Sequence, residues 1–431
     1  LSSQAPPARD STPDTGHGAS DTTHHEVRFV DDVASLRAAC SDLARAPRVA
    51  VDVESNGLFA YEPALCVLQL ADEHTVYVVD TLAIAVEDLV TPLGALFGAG
   101  GPLVVVHDLG FDARMLAKAG APLTRVVDTA LAASLLGRTS TGLGSVLESE
   151  LGVRHDKTLQ HHDWGSRPLD SRAIEYLAGD VRYLLPLADS LLHEVTEKGL
   201  GDELAEETRY RLSEACDLEG QEETRPPFLR MKGKERVDRK DLPLLRALAE
   251  AREQMAREHD VPVFKLLPND VLFAIAQEKP RTMAALSRIP GAHRGRGRQL
   301  SQVLLDLVGK SHPGLTTDEL TMLVPKRLPP AEVKARKKRE AKLLAWRKTE
   351  AQRRDVNPQV VLPGHVLREM ADVCPETVDE LANLPGFGAF RVARYGAKLV
   401  ELLDTQDEDS HDSPSSGDAS RARDSHDEDD A

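Results

Sequence analysis

Residues 49–57 read VAVDVESNG. A valine-rich run favours an extended strand, and the Asn-Gly that closes it favours a turn. On a strand, positions two apart face the same way, so Asp52 and Glu54 point to one side. A carboxylate inside an apolar segment is costly unless it is paired or bound to a cation. Two further segments pose the same problem. Asp112 lies in "VVVHDLGFDARML", directly after a run that reads as a second strand. Tyr176 and Asp180 lie in "EYLAGDVRYL", four apart on an expected helix and so on one face. Taken singly, each has an ordinary explanation: an exposed strand pair, an acid favoured by a helix N-terminus, a core aromatic. Taken together, four carboxylates converging from three segments need cations between them, and hard oxygen ligands of this kind suit Mg²⁺ or Mn²⁺.

A chain of 431 residues suggests two to four domains. Its 41% hydrophobic content supports packed cores, yet no apolar run is long enough for a membrane span. The polar first 26 residues lack an apolar leader core, so no secretory signal is expected. The chain starts at Leu1 rather than Met, which leaves the true start open. Cys40, Cys66, Cys216 and Cys374 are scattered without a CxxC pair, which reads as reduced thiols in a cytoplasmic protein. The net charge of −17 is unevenly spread. Asp404–Ala431 holds eleven acids against Arg421 and Arg423, while Lys326–Arg354 holds twelve Lys/Arg against three Glu. Whole-chain charge is therefore a poor guide to partners, and the basic stretch is a candidate nucleic-acid contact. Aromatics make up only 4%, which favours contact with a sugar-phosphate backbone over extensive base stacking.

Strand-like runs ("RVAVDV", "LCVLQLA", "TVYVVD", "PLVVVHD") alternate with amphipathic stretches up to about residue 200, as in a mixed sheet with flanking helices. The amphipathic stretch 171–199 reads as helical throughout. An all-helical region follows, and it repeats itself. Arg252, Ala256, Leu267-Pro268, Leu272, Pro280, Thr282, Leu286 and Pro290-Gly291 recur as Arg347, Ala351, Leu362-Pro363, Leu367, Pro375, Thr377, Leu381 and Pro385-Gly386, always 95 positions on. Pro262 and Pro358 differ by 96, which predicts a one-residue loop change. The expected organisation is a disordered tail over 1–26, an α/β domain over 27–205, a linker over 206–237, helical domains over 238–313 and 330–404, and a disordered acidic tail over 405–431.

The three acidic segments resemble the motifs of the DEDD superfamily of 3′→5′ exonucleases, which has a ribonuclease-H-like fold. Tyr176, four residues before Asp180, matches the tyrosine branch; the histidine branch would carry His where this chain has Glu175. "VVDTALAASLLG", "TGLGSVLESELGV" and "DKTLQHHDWGSRPLDSRAIEYLAGDV" narrow the resemblance to ribonuclease D, in order and spacing, over residues 28–200. His162 is a small departure, since that family more often has a small residue before Asp-Trp. The repeated helical units are similar to HRDC domains, which follow the nuclease in some ribonucleases D. The resemblance implies hydrolysis with two divalent metal ions (Mg²⁺ or Mn²⁺), about 4 Å apart in such sites, that stabilise the attacking and leaving oxygens. It implies that Asp52 bridges the ions, that Glu54 and Asp180 complete one, that Asp112 holds the other through water, and that Tyr176 orients the attacking water. It also implies 3′→5′ removal of nucleoside 5′-monophosphates from RNA, tRNA precursors above all.

Other residues are expected nearby. Asn56 lies at the turn after the first motif. Lys157, Gln160 and Arg167 are donors in the Trp164-containing loop and candidates for phosphate or sugar contact. His107 is expected to support the site and Asp108 to cap a turn. The hairpin Leu384–Gly388 would present backbone N–H groups either to a phosphate or to its own helix. Two other functions fit the same residues: a 3′→5′ DNA exonuclease of repair, and an RNA-binding protein without activity, which loss of an acidic ligand would have favoured. No GxxxxGK[ST] phosphate loop is present, so no helicase motor is expected. The expected state is a monomer away from membranes.

Overall fold

The computed structural model describes residues 25–217, 225–292, 297–323 and 329–404. Both expected tails lie outside these residues, apart from His25, Glu26 and the boundary at Asp404. The described residues fall into two compact units. The first holds the sheet and residues 211–323; the second holds residues 199–210 and the described part of 324–431.

In the first unit, six strands form one mixed sheet. They are β1 (Glu26–Val30), β2 (Arg48–Ser55), β3 (Leu65–Ala71), β4 (Thr75–Asp80), β5 (Leu103–Val106) and β6 (Val126–Asp128), in the order β1-β4-β3-β2-β5-β6. The central hairpin β2–β3–β4 is antiparallel, and β1, β5 and β6 join in parallel. The four apolar runs became the four inner strands. The edge strands β1 and β6 carried no such signal: β1 buries only Val30, and β6 is three residues long. Helices α1 (Val33–Leu43), α2 (Val86–Phe97) and α3 (Leu109–Lys118) cover the sheet, with Leu36, Leu43, Leu93, Phe97 and Leu116 fully buried among its valines.

α4 (Thr129–Leu135) and α5 (Leu143–Leu151) lead to α6 (Ser171–Arg182), which packs across β2, β3 and β4, and to α7 (Leu184–Glu197). The stretch 171–199 is thus two helices. Pro186 lacks the N–H that would bond to Arg182 and its ring crowds that carbonyl, so the helix breaks at Tyr183 and restarts. The expected linker begins inside a further helix, α8 (Gly201–Asp217).

The helical repeat holds in detail. In the first copy, α9 (Leu242–Glu258) and α10 (Asn269–Glu278) precede α11 (Gly297–Gly309). In the second, α12 (Pro330–Arg354) and α13 (Gly364–Val373) precede α14 (Gly388–Asp404). α10 and α13 start and stop 95 residues apart, and both end on a left-handed residue, Lys279 or Cys374. Thr282 and Thr377 cap equivalent short helices through their hydroxyls. Arg252 and Arg347 are both buried and both donate to a backbone carbonyl, that of Leu267 or Pro358. The expected loop change at the prolines does not occur. The short helices Val263–Leu266 and Pro358–Val361 keep the offset of 95; Pro262 sits just before its helix and Pro358 at its first position, both compatible with a proline.

The second unit is tied together by ions. Glu203 of α8 is fully buried and accepts from Arg354 at 2.8 Å, with Arg394 at 3.6 Å. Tyr210 stacks on His365, with ring centres 3.9 Å apart. Removing one partner of a buried charge pair costs several kcal/mol because the other is left uncompensated. Glu203→Ala is therefore expected to destabilise this unit by about 3 kcal/mol. Urea denaturation followed by tryptophan fluorescence reads this, since Trp346 packs edge-on against Tyr395 in the same unit. An unchanged transition would show that the pair contributes nothing.

Candidate active site

β2 delivers Asp52 and Glu54 to the face on which α6 lies, and α6 delivers Tyr176 and Asp180. One carboxylate oxygen from each of Asp52, Glu54 and Asp180 lies within 4.8 Å of the others. A cavity of about 250 Å³ opens onto them, lined also by His107, His155, Lys157, Gln160 and Tyr176. Of the expected substrate donors, Lys157 and Gln160 line this cavity, whereas Asn56 and Arg167 do not.

Asp112 arrives from the first turn of α3, 4% exposed, with Oδ2 buried and without a hydrogen-bond partner. Its placement depends on Asp128, which lies in the family-like segment 126–137 but is not singled out by the sequence. The Asp128 carboxylate accepts from the backbone N–H groups of Asp108, Leu109, Ala130 and Leu131. It thereby fixes the entry of α3, where Asp108 adopts a left-handed φ of 68°, and the start of α4. Asp108 is a turn residue, as expected. His107 is held on both sides, Nδ1 by the Thr129 hydroxyl and Nε2 by the Thr141 carbonyl, each at 2.8 Å. Burial pushes its pKa down, so it is a neutral support with no nitrogen left for a metal.

The electrostatics follow from crowding. Burial, then the Asp180 charge, pushes the Asp52 carboxyl well above the carboxylate range. Burial, then Asp52 and Asp180, pushes Glu54 up to about 9. Asp112 is raised by burial and then by Asp52. Asp180 is raised by burial, while His155, with Nε2 at 3.2 Å, pulls the other way. His155 is a neighbour that no motif marked. Without cations, Glu54 holds a proton at neutral pH, and crowding and burial favour the protonated form of Asp52, Asp112 and Asp180 beyond the usual carboxylate range. The donor set is all carboxylate oxygen, one of them buried without a partner, and this fits hard divalent cations. The Tyr176 phenol is raised by burial and then by Asp180, Glu54 and Asp52, so it stays protonated. Its ring packs against buried Trp164, with centroids 5.8 Å apart.

Two expected substrate donors are engaged elsewhere. Arg167 donates from Nε and Nη2 to the Asp80 carboxylate, from Nη2 to the Cys66 carbonyl, and from Nη1 to the carbonyls of Trp164 and Ser166. Those five bonds use all five of its N–H groups. Arg167 therefore clamps the loop to β3 and β4 and has none left for a substrate. Asn56 spends its Oδ1 on the Ala64 N–H, closing the loop after β2, and only its amide nitrogen remains. In the second unit, the Leu384–Gly388 hairpin faces its own chain. A β-carbon at Gly388 would collide with the Glu206 carboxylate, and one at Gly386 would meet His365 and Tyr210. The described part of the basic stretch is α12, largely exposed, with Arg336 paired to Asp372, Arg353 to Glu350 and Arg354 to Glu203.

Comparison with known proteins agrees with this geometry. Residues 27–196 match the 3′-5′ exonuclease family, and residues 241–308 and 336–403 each match the HRDC domain. A ribonuclease D of Sphingobium indicum is 31% identical over 302 residues, covering 69% of this chain and 76% of its own. A ribonuclease D of Acidiphilium cryptum is 29% identical over 66% of this chain and 72% of its own. The crystal structure of Escherichia coli RNase D shares the fold, with a TM-score of 0.62 at 23% identity over 88% of this chain and 98% of its own. Among the described residues, no helix is long and apolar enough to cross a membrane. The chain belongs to the ribonuclease D family of 3′→5′ exoribonucleases, with a nuclease domain followed by two HRDC domains.

Proposed function

We propose that this enzyme trims the 3′ ends of structured RNAs, tRNA precursors above all, releasing one nucleoside 5′-monophosphate at a time with two divalent ions, Mg²⁺ or Mn²⁺. The observation that carries this reading is the convergence of Asp52, Glu54 and Asp180 within 4.8 Å beside Tyr176 and the orphaned Asp112 oxygen. In this reading Asp52, Glu54, Asp112 and Asp180 would hold the ions. Divalent ions bound there would neutralise charge on the attacking and leaving oxygens and make water a nucleophile at neutral pH. The chain's own groups do the rest. Tyr176, kept protonated by burial and then by its acidic neighbours, orients the attacking water through its hydroxyl. Lys157 supplies a positive charge and Gln160 an amide to the phosphate side of the cavity. Arg167 and Trp164 hold the loop and the Tyr176 ring in place.

Asp52→Asn keeps the shape and removes the charge. It is expected to lower the digestion of 3′-extended RNA by at least about 10³-fold, as removal of a strong transition-state stabiliser does. Tyr176→Phe is expected to slow digestion while leaving metal affinity unchanged. End-labelled RNA and DNA digested in parallel, with Mg²⁺, Mn²⁺ or chelator, provide the measurement. Parental rates from Asp52→Asn would refute the assignment, and preferential digestion of DNA would replace RNA as the substrate.

The raised carboxyls predict a pH effect on the metal-free protein. Unfolded glutamate titrates near 4.3, while folded Glu54 titrates at about 9. Between these values the native state holds protons that the unfolded state has released. Stability is therefore full below the lower value and is lost as pH rises towards the upper one. With chelator, the melting temperature is expected to fall between pH 5 and 9 more steeply in the parent than in Asp52→Asn. Mg²⁺ or Mn²⁺ is expected to raise it most at high pH, where the ligands release protons readily. Identical pH profiles for parent and variant would rule out the crowding of these acids as the cause.

A further inference from the structure

A second cavity adjoins the acidic one. It measures about 360 Å³ and shares two wall residues with it, His155 and Tyr176. That volume is at the low end of small-ligand sites, about 300–1,000 Å³. Its chemistry is the reverse of the acidic site, for Arg154, Arg172 and Arg182 all line it. Two acids line it as well, but each is occupied: Glu175 pairs with Arg182 at 2.7 Å, and Asp156 accepts from the N–H and hydroxyl of Thr158. Arg172 donates only to the Thr158 hydroxyl, and among the described residues no carboxylate pairs with Arg154 or Arg172. Both are exposed at the cavity mouth, free to meet an anion.

The floor of the cavity is a stripe of α6 through Tyr176 and Gly179, with Tyr183 just past the helix end. Gly179 is in the helix interior, where glycine costs about 1 kcal/mol relative to alanine. Packing does not require it, since a β-carbon there would meet nothing within 4 Å. Its effect is to leave the floor open. A polyanion whose reacting phosphate lies at the carboxylates would pass over the Tyr176–His155 wall and find guanidinium groups on the other side. Arginine is well suited to hold a phosphate there, through paired N–H donors.

We infer that this arginine-lined cavity is a phosphate subsite that takes the phosphodiester next to the scissile one on the uncleaved side of the RNA strand. The inference rests on the functional reading above and goes beyond it by naming where the retained strand is held. The same chemistry would also accept the phosphate of a released mononucleotide, so the test separates the two.

The Asp52→Asn protein, which retains substrate, is titrated in Mg²⁺ with a 5′-labelled five-nucleotide oligoadenylate, and separately with AMP and inorganic phosphate. Arg154→Ala with Arg172→Ala is expected to weaken oligonucleotide binding about tenfold and to lower the slope of log affinity against log salt by about one or more. AMP and phosphate binding are expected to stay unchanged. Gly179→Leu, which fills the floor while favouring helix, is expected to weaken the oligonucleotide alone. Circular dichroism confirms that each variant is folded. Undiminished oligonucleotide binding by both variants would overturn the subsite and leave the nuclease reading intact. Equal weakening of AMP and oligonucleotide would overturn the strand assignment in favour of product. An Asp52→Asn protein that binds no oligonucleotide, beside a parent that digests none, would overturn the functional reading itself.

Discussion

Like charge forced into one buried place is the constraint on which the rest of this structure depends. Asp52, Glu54, Asp112 and Asp180 come from a strand and two helices, and among the described residues no Lys or Arg forms an ion pair with them; His155 lies 3.2 Å from Asp180. In the interior such a group is tolerable only with protons or cations supplied from outside. The fold supplies the rigidity that keeps the acids from moving apart. β2 is an inner strand, locked on one side by β3 and on the other by β5. α6 is pressed onto the sheet, and α3 is anchored by the four bonds to Asp128. The same crowding that raises the carboxyl pKa values makes cation binding at this site compete with protons, which couples it to pH.

What was legible in the sequence, and what was not, divides along the same line. That Asp52 shares a face with Glu54, and Tyr176 with Asp180, could be read because two simple periodicities, two on a strand and four on a helix, decide which side chains face together; Asp112 joined them only through the family resemblance. The inner strands could be read because burial on both faces leaves continuous apolar runs. The edge strand Glu26–Val30 could not, since only one of its side chains needs the core. Arg167 shows a deeper limit. A loop rich in donors reads the same whether those donors serve a substrate or the loop itself, and only the position of Asp80, 87 residues earlier, decides the matter. His155 escaped for the same reason, because Asp180 is distant in sequence, and so did the role of Asp128, which holds Asp108 and Leu109 about 20 residues earlier.

The two helical domains show how one scaffold diverges. Their capping threonines, left-handed helix ends and buried arginines superpose in sequence at an offset of 95. Their surroundings do not. In the second copy the turn before the last helix lies against Glu206, Tyr210 and His365 of its own unit. The basic helix α12 of this copy is largely exposed.

Tyr61 has a wider consequence. Its hydroxyl bonds to Glu253 and receives Arg257, and its N–H donates to Asp260, all on the first HRDC domain. It also sits in the short loop that leaves the strand carrying Asp52 and Glu54, so sequence boundary and cooperative boundary need not coincide. Local opening of the helical domain would release the loop, and release of the loop would loosen the end of the catalytic strand. The hydrogen bonds of Tyr61 thus couple the two family-matched segments, 27–196 and 241–308, within one compact unit.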